Sequence, residues 1–193
     1  MPLSAVQLSQ TWFPDELMLT ISREFQATKP RLWQLHTDPN HLANWLVPDH
    51  ATITVLEFNF QCAGAFRYHI QCPNQPPGWV RWTYHQIAAA DTLIYFEALT
   101  DADGHPIRPT HQPHWPLQLY SNLTFTENST TTPSSILTLK LAPWNASEKE
   151  HQTFNCNRRL LRSDHHLAWD RLERYLAQLT TTPSNTTSAS SSS

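Results

Sequence analysis

Between Leu17 and Phe25 the chain reads LMLTISREF, apolar and polar residues in turn, which is the period of a half-buried strand. A segment opened by proline, Pro30 to Thr37, has helical character. Asp38-Pro39 ends it and starts a second short helix, Pro39 to Leu46, with Asp38 as its N-cap. From Ala51 to Ala142 the period becomes two, and strands are expected near 51–60, 64–72, 79–88, 92–100, 117–127 and 135–142. The connections Pro73 to Gly78, Asp101 to Gly104 and Asn128 to Ser134 carry turn residues. Strands joined this closely pair antiparallel, as a meander. Ser147-Glu148-Lys149-Glu150 has the form of a capping box, and a long helix is expected from there to Leu179, with a break near Asn155-Cys156-Asn157. Leu161, His165, Ala168, Trp169, Leu172, Leu176 and Leu179 recur at three- and four-residue steps and make one stripe along it.

The element order is strand, two short helices, six strands, long helix. It predicts an α+β domain: a curved antiparallel sheet of six to seven strands around a long C-terminal helix, with two short helices after strand 1. The domain spans 17–179, behind a leader at 1–16. Residues 180–193 (TTTPSNTTSASSSS) are of low complexity and expected to be disordered. A sheet that curls around one amphipathic helix leaves a gap between helix and concave face, a usual place for a ligand.

Composition narrows the choices. With 193 residues the chain buries roughly 70% of its unfolded surface and needs no disulfide or metal to fold. Net charge is -3 and Lys+Arg total 13, with no basic run among the aromatics, which counts against nucleic-acid binding. No stretch approaches the ~20 apolar residues of a membrane helix, and no signal peptide is read at the start. Three cysteines do not make a disulfide framework. Cys62 and Cys72 bracket a strand of about 33 Å, beyond disulfide reach. Reduced thiols suit a cytoplasmic protein, in which the four N-x-[ST] matches are chance.

Several segments now resemble a known family. Ile21 to Ala27 with Pro30 and Trp33 looks like the opening strand and helix of the START-like (SRPBCC) superfamily, in the branch similar to the C-terminal domain of the activator of heat-shock protein 90 ATPase. Thr37-Asp38-Pro39-Asn40-His41-Leu42, with Trp45 and Pro48, is similar to its T-D-P-x-x-L-x-x-W-x-x-P segment. Ala63-Gly64-Ala65-Phe66-Arg67 resembles G-G-x-F-R. Gln86-Ile87 with Leu93-Ile94 resembles the E-I hairpin, and Ala168-Trp169 with Leu172 and Leu176 the closing G-W helix. The resemblance implies a helix-grip fold with a cavity for apolar or amphipathic ligands and no shared catalytic residue. Departures are equally legible: Ala63 and Trp82 stand where the family has glycine, and only three glycines are available to bend the sheet.

The candidate ligand-binding residues follow. Phe66, Tyr68 and Ile70 share one strand face, and the apolar set should face inward. Tyr84, Phe96 and Leu123 lie on the neighbouring central strands, and His165, Trp169 and Leu172 on the helix; the plainer reading of each is ordinary core. Trp82, if inward, would shrink the cavity. His105, His111 and His114 share a proline-rich loop that reads as solvated, so no metal site is assigned. His69 and His85 read as an exposed cross-strand pair. Glu97 reads as a rim or outward residue, the alternative being a buried acid with a raised pKa. Arg67 and Arg81 pair with such acids or anchor a ligand carboxylate at the cavity mouth. No nucleophile elbow, phosphate loop or zinc-binding helix motif occurs, so no catalytic residue and no cofactor is assigned. The expected function is non-catalytic binding of a small hydrophobic ligand. A chaperone ATPase regulator and a cyclase or hydrolase working inside the cavity are the alternatives, with self-association open.

Overall fold

The computed structural model describes Pro14, residues 17–129 and residues 132–181. The expectations for the leader and the Ser/Thr-rich tail therefore fall almost wholly outside the described residues. β1 (Leu19–Phe25) leads into α1 (Lys29–Thr37) and α2 (Pro39–Leu42). Six strands follow: β2 (Thr52–Phe58), β3 (Ala65–Gln71), β4 (Gly78–Ala88), β5 (Thr92–Thr100), β6 (Leu119–Ser129) and β7 (Ser134–Pro143). α3 (Glu148–Thr181) closes the fold.

All pairings are antiparallel, in the order β1-β7-β6-β5-β4-β3-β2. The meander is as the turns predict, and β1 adds itself to its far end, with Ile21 opposite Leu139. This is the α+β helix-grip arrangement. Curvature comes from register shifts at Val55/Glu57, Tyr84/Gln86 and Glu127/Ser129, where an extra residue bends the strand. Bulges thus do what scarce glycines cannot. Gly64 is one place where glycine is needed, since a Cβ there would lie 2.2 Å from the Asn59 carbonyl oxygen.

Two local expectations change. The second short helix ends at Leu42, and Trp45 follows in a turn with its indole Nε1 donating to the Leu35 carbonyl at 3.0 Å. α3 is unbroken: Asn157 stays in the helix, its side-chain amide donating to the Thr153 carbonyl at 2.8 Å. The asparagine that suggested a break bonds back within its own helix instead.

The core lies between α3 and the concave face. Leu19, Ile21 and Phe25 of β1 and Leu137, Leu139 and Leu141 of β7 pack toward Phe154, Ala168, Trp169, Leu172 and Leu176 of α3. A smaller cluster, Met18, Ile94, Tyr120 and Ala142 with Phe96 and Trp144, covers part of the outer face. α3 also runs along the free edge of β1. Arg158 donates to the Met18 carbonyl, Arg162 to that of Thr20 at 2.9 Å, and Arg23 meets Asp170 at 2.6 Å. The two arginine–carbonyl bonds occupy edge acceptors that would otherwise invite another strand.

Candidate functional site

Strand alternation decides what each central side chain faces. On β3, Phe66 and Tyr68 are buried inward, and Ile70 packs half-buried against the same core. On β4, Val80, Trp82 and Tyr84 face in; the bulge after Tyr84 then reverses the parity, so that Ile87 joins them. On β5 the inward residues are Leu93, Tyr95, Glu97 and Leu99, which places Phe96 on the outer face. Phe96 packs there on Trp144 and Tyr120, with ring centroids 4.7 and 6.1 Å away. The expectation that Phe96 lines the concave face is corrected on this point. β5 is covered on both sides, so its apolar run carries no alternation from which its parity could be read.

Trp82 does point inward. It stacks on Tyr95 at 4.3 Å and meets Phe66 edge-on at 5.3 Å, filling the middle of the grip. Phe66, Tyr68, Tyr84, Leu123, Trp169 and Leu172 belong to the same packed core. His165 is half-buried on the inner face of α3, and desolvation holds its pKa down to about 4, so the ring is neutral.

The open space lies to one side of this aromatic plug. A pocket of about 250 Å³ is bounded by β5, by the loop between β5 and β6, and by the first half of α3. β5 supplies Glu97 and Leu99, the loop Pro109, Trp115 and Leu117, and α3 Asn157, Leu160, Leu161 and Asp164. Leu99, Leu117 and Leu160 are among the few exposed large apolar side chains of the described residues, and all three line this space. None of the ligand-binding residues named from sequence lines it.

The loop was expected to be solvated and without a preformed site; it is folded instead. Ile107 N–H donates to the Leu99 carbonyl, Gln112 N–H to that of Pro109 and Trp115 N–H to that of Gln112, each at 2.9 Å. Its prolines fix φ and so add stiffness. Arg108 is the clamp. Its Nε donates to the Trp115 carbonyl at 2.9 Å and its Nη2 to Glu150 on α3. Glu150 also accepts from the Ser147 N–H and hydroxyl, both at 2.7 Å. The capping box is thus present in its Glu-to-backbone half, while the Ser hydroxyl turns to the same carboxylate. These donors, Arg108 first, hold the Glu150 carboxyl down to about 2.

Glu97 is the chemical centre of the pocket. It faces inward, against the reading of it as an outward or rim residue. Its Oε2 accepts from the Trp82 indole N–H at 2.7 Å. Desolvation raises its pKa, opposed by that hydrogen bond. Tyr68 and Tyr95 stand close enough that burial first, then the charge of Glu97, pushes both phenols well up. A mid-strand Glu beside an inward Trp was the one legible signal for this site.

The remaining polar candidates lie elsewhere. Arg67 and Arg81 face each other across β3 and β4 and donate to the Ala102 and Gly104 carbonyls, at 3.3 and 3.2 Å, away from the pocket. His69 sits opposite Trp79, and His85 lies past the end of the β3–β4 pairing, so the two do not form a cross-strand pair. Of the loop histidines, His105 brings a ring nitrogen within 4.8 Å of carboxylate oxygens of Asp101 and Asp103. Asp101 already caps the His105 N–H at 2.8 Å. The three cysteines are free. No helix among the described residues is long and apolar enough to cross a membrane.

Comparison with known proteins agrees with this fold. The family model described as Activator of Hsp90 ATPase homolog 1-like protein matches residues 26–180. Among solved structures, a protein from Mycobacterium smegmatis is 22% identical, covers 84% of this chain and 91% of its own, and superposes with a TM-score of 0.68. One from Arthrobacter aurescens is 19% identical over 90% of this chain and 91% of its own, with a TM-score of 0.69. One from Staphylococcus epidermidis is 19% identical over 84% and 90%, with a TM-score of 0.66. At these identities the likeness shows the fold. No curated protein sequence matches the chain.

Proposed function

The chain belongs to the Activator of Hsp90 ATPase homolog 1-like family, and from that premise we propose that it binds a small hydrophobic or amphipathic ligand, without catalysis, in the pocket between β5, the proline-rich loop and α3. One observation carries the reading. Leu99, Leu117 and Leu160 stay exposed around a concavity whose wall is folded in advance. Exposed apolar side chains around a preformed hollow gain most from a ligand that removes them from water. The volume is slightly under the ~300 Å³ at which drug-sized sites begin. The ligand is therefore a compact ring system or a single chain rather than a sterol-sized body.

The ligand shell proposed here is Leu99, Trp115, Leu117, Leu160 and Leu161. Trp82, hydrogen-bonded to Glu97, stands behind its inner end. Thermal-shift titration with compact apolar compounds tests this, with Leu117→Trp as the control, since Leu117 is exposed and its replacement fills the hollow without disturbing the core. A ligand that stabilises the native chain but not the Leu117→Trp variant supports the proposal. Melting curves unmoved by every apolar compound, beside saturable binding to an Hsp90 ATPase, would turn the reading to partner binding.

A further inference from the structure

We propose that the ligand of this pocket is an amphipathic organic cation, an amine on an apolar body, whose ammonium group is received by Glu97. The inference rests on the binding role just proposed and names the chemistry of that site. It starts from the lining. The pocket carries two carboxyl groups, Glu97 on β5 and Asp164 on α3, with the amides of Gln112 and Asn157, and no Lys, Arg or His. The nearest loop cation, Arg108, is committed to Glu150 and to the Trp115 carbonyl. A ligand carboxylate would meet two carboxyl groups and no cation to offset them.

Glu97 is set apart from an ordinary surface acid by its place. It sits mid-strand on the concave face, beside the buried rings of Trp82, Tyr68 and Tyr95. One of its oxygens is held by the Trp82 indole N–H; the other makes no protein hydrogen bond among the described residues and is open to water on the pocket side. A half-buried carboxyl with one oxygen free to accept is a ready partner for a cation. The ammonium of an amine supplies both the charge and the missing donor. Trp115 in the loop wall offers an aromatic ring to the same cation. Asp164 is exposed at the α3 side and adds attraction as the ligand enters. The apolar body then lies against Leu99, Leu117, Leu160 and Leu161.

Calorimetric titration of the full chain with decylamine, decanol and decanoate tests the proposal, because the three share one apolar body. The amine should bind roughly tenfold or more tightly than the alcohol, the size of a hydrogen bond to a charged group, and decanoate should be weakest. In E97Q, which keeps an acceptor for Trp82, the advantage of amine over alcohol should vanish. D164N, at an exposed helix position, should reduce it partly and guards against a folding defect in E97Q. Equal binding of amine and alcohol, or preference for decanoate, overturns the cation while leaving the pocket standing. An amine preference that survives both variants overturns the assignment to these carboxyls. Failure of all three probes to bind the native chain removes the pocket reading and this inference with it.

Discussion

Ala63 adopts φ 63 and Ala90 φ 60, in the left-handed region that costs a residue with a Cβ about 1–2 kcal/mol. The family resemblance puts glycine at the first of these. Ala63→Gly should therefore raise stability by about 1 kcal/mol, less the added chain entropy of glycine; chemical denaturation measures it, and a loss would contradict the backbone strain. His36 is the other residue whose fate the fold decides. It is buried, with Nδ1 at 2.7 Å from the Leu32 carbonyl oxygen, Nε2 unpartnered among the described residues, and Trp45 and Phe125 against its ring. Desolvation lowers its pKa from 6.5 to about 4. Between those values the unfolded chain binds more protons than the folded one. Stability from this group is thus complete above pH 6.5 and falls as pH drops toward 4, by roughly 3 kcal/mol. His165 adds to the same trend, its pKa also held to about 4. Glu150, with its pKa lowered to about 2, extends the loss from pH 4.5 downward. Urea melts from pH 7 to 4 should show the decline, and His36→Leu should flatten its upper part.

At the scale of elements, the loop between β5 and β6 and the start of α3 act as one unit because Arg108 joins them. Arg108→Ala should speed amide hydrogen exchange across residues 105–117 while leaving β6 and β7 protected, and should weaken binding of any pocket ligand. Unchanged exchange in the loop would show that its own turns suffice. α3 holds to the sheet through a stripe that was legible as sequence, and Leu172 lies at its centre with no exposed surface. Leu172→Ala should cost about 2–5 kcal/mol, read as a lower urea midpoint. The proline-rich loop was legible only as a loop. Its lack of period gave no sign that Trp115 and Leu117 would be folded over a hollow, since the bonds that anchor its own turns to the rest of the fold run to Leu99 on β5 and Glu150 on α3.

The whole molecule depends on its two ends meeting. β1 pairs with β7 along its whole length and lies under α3. Removing residues 1–25 would bare the β7 edge and the inner faces of Leu137, Leu139 and Leu141. Such a chain should be recovered only as aggregate, and a soluble, cooperatively melting product would show that β2 to β7 with α3 are self-sufficient.

Period, turn residues and the helix stripe together determined the element order, the meander and the α+β class, because each depends on residues near in the chain. They also carried the inward set Phe66, Tyr68 and Ile70, where one strand face is apolar and the other is not. Only the tertiary structure decided the parity of β5, where both faces are covered and either register reads as apolar. That one choice turns Phe96 outward and Glu97 inward. Trp82, brought in by β4, fills the grip's centre, and the open space moves to a loop whose shape depends on contacts distant in sequence.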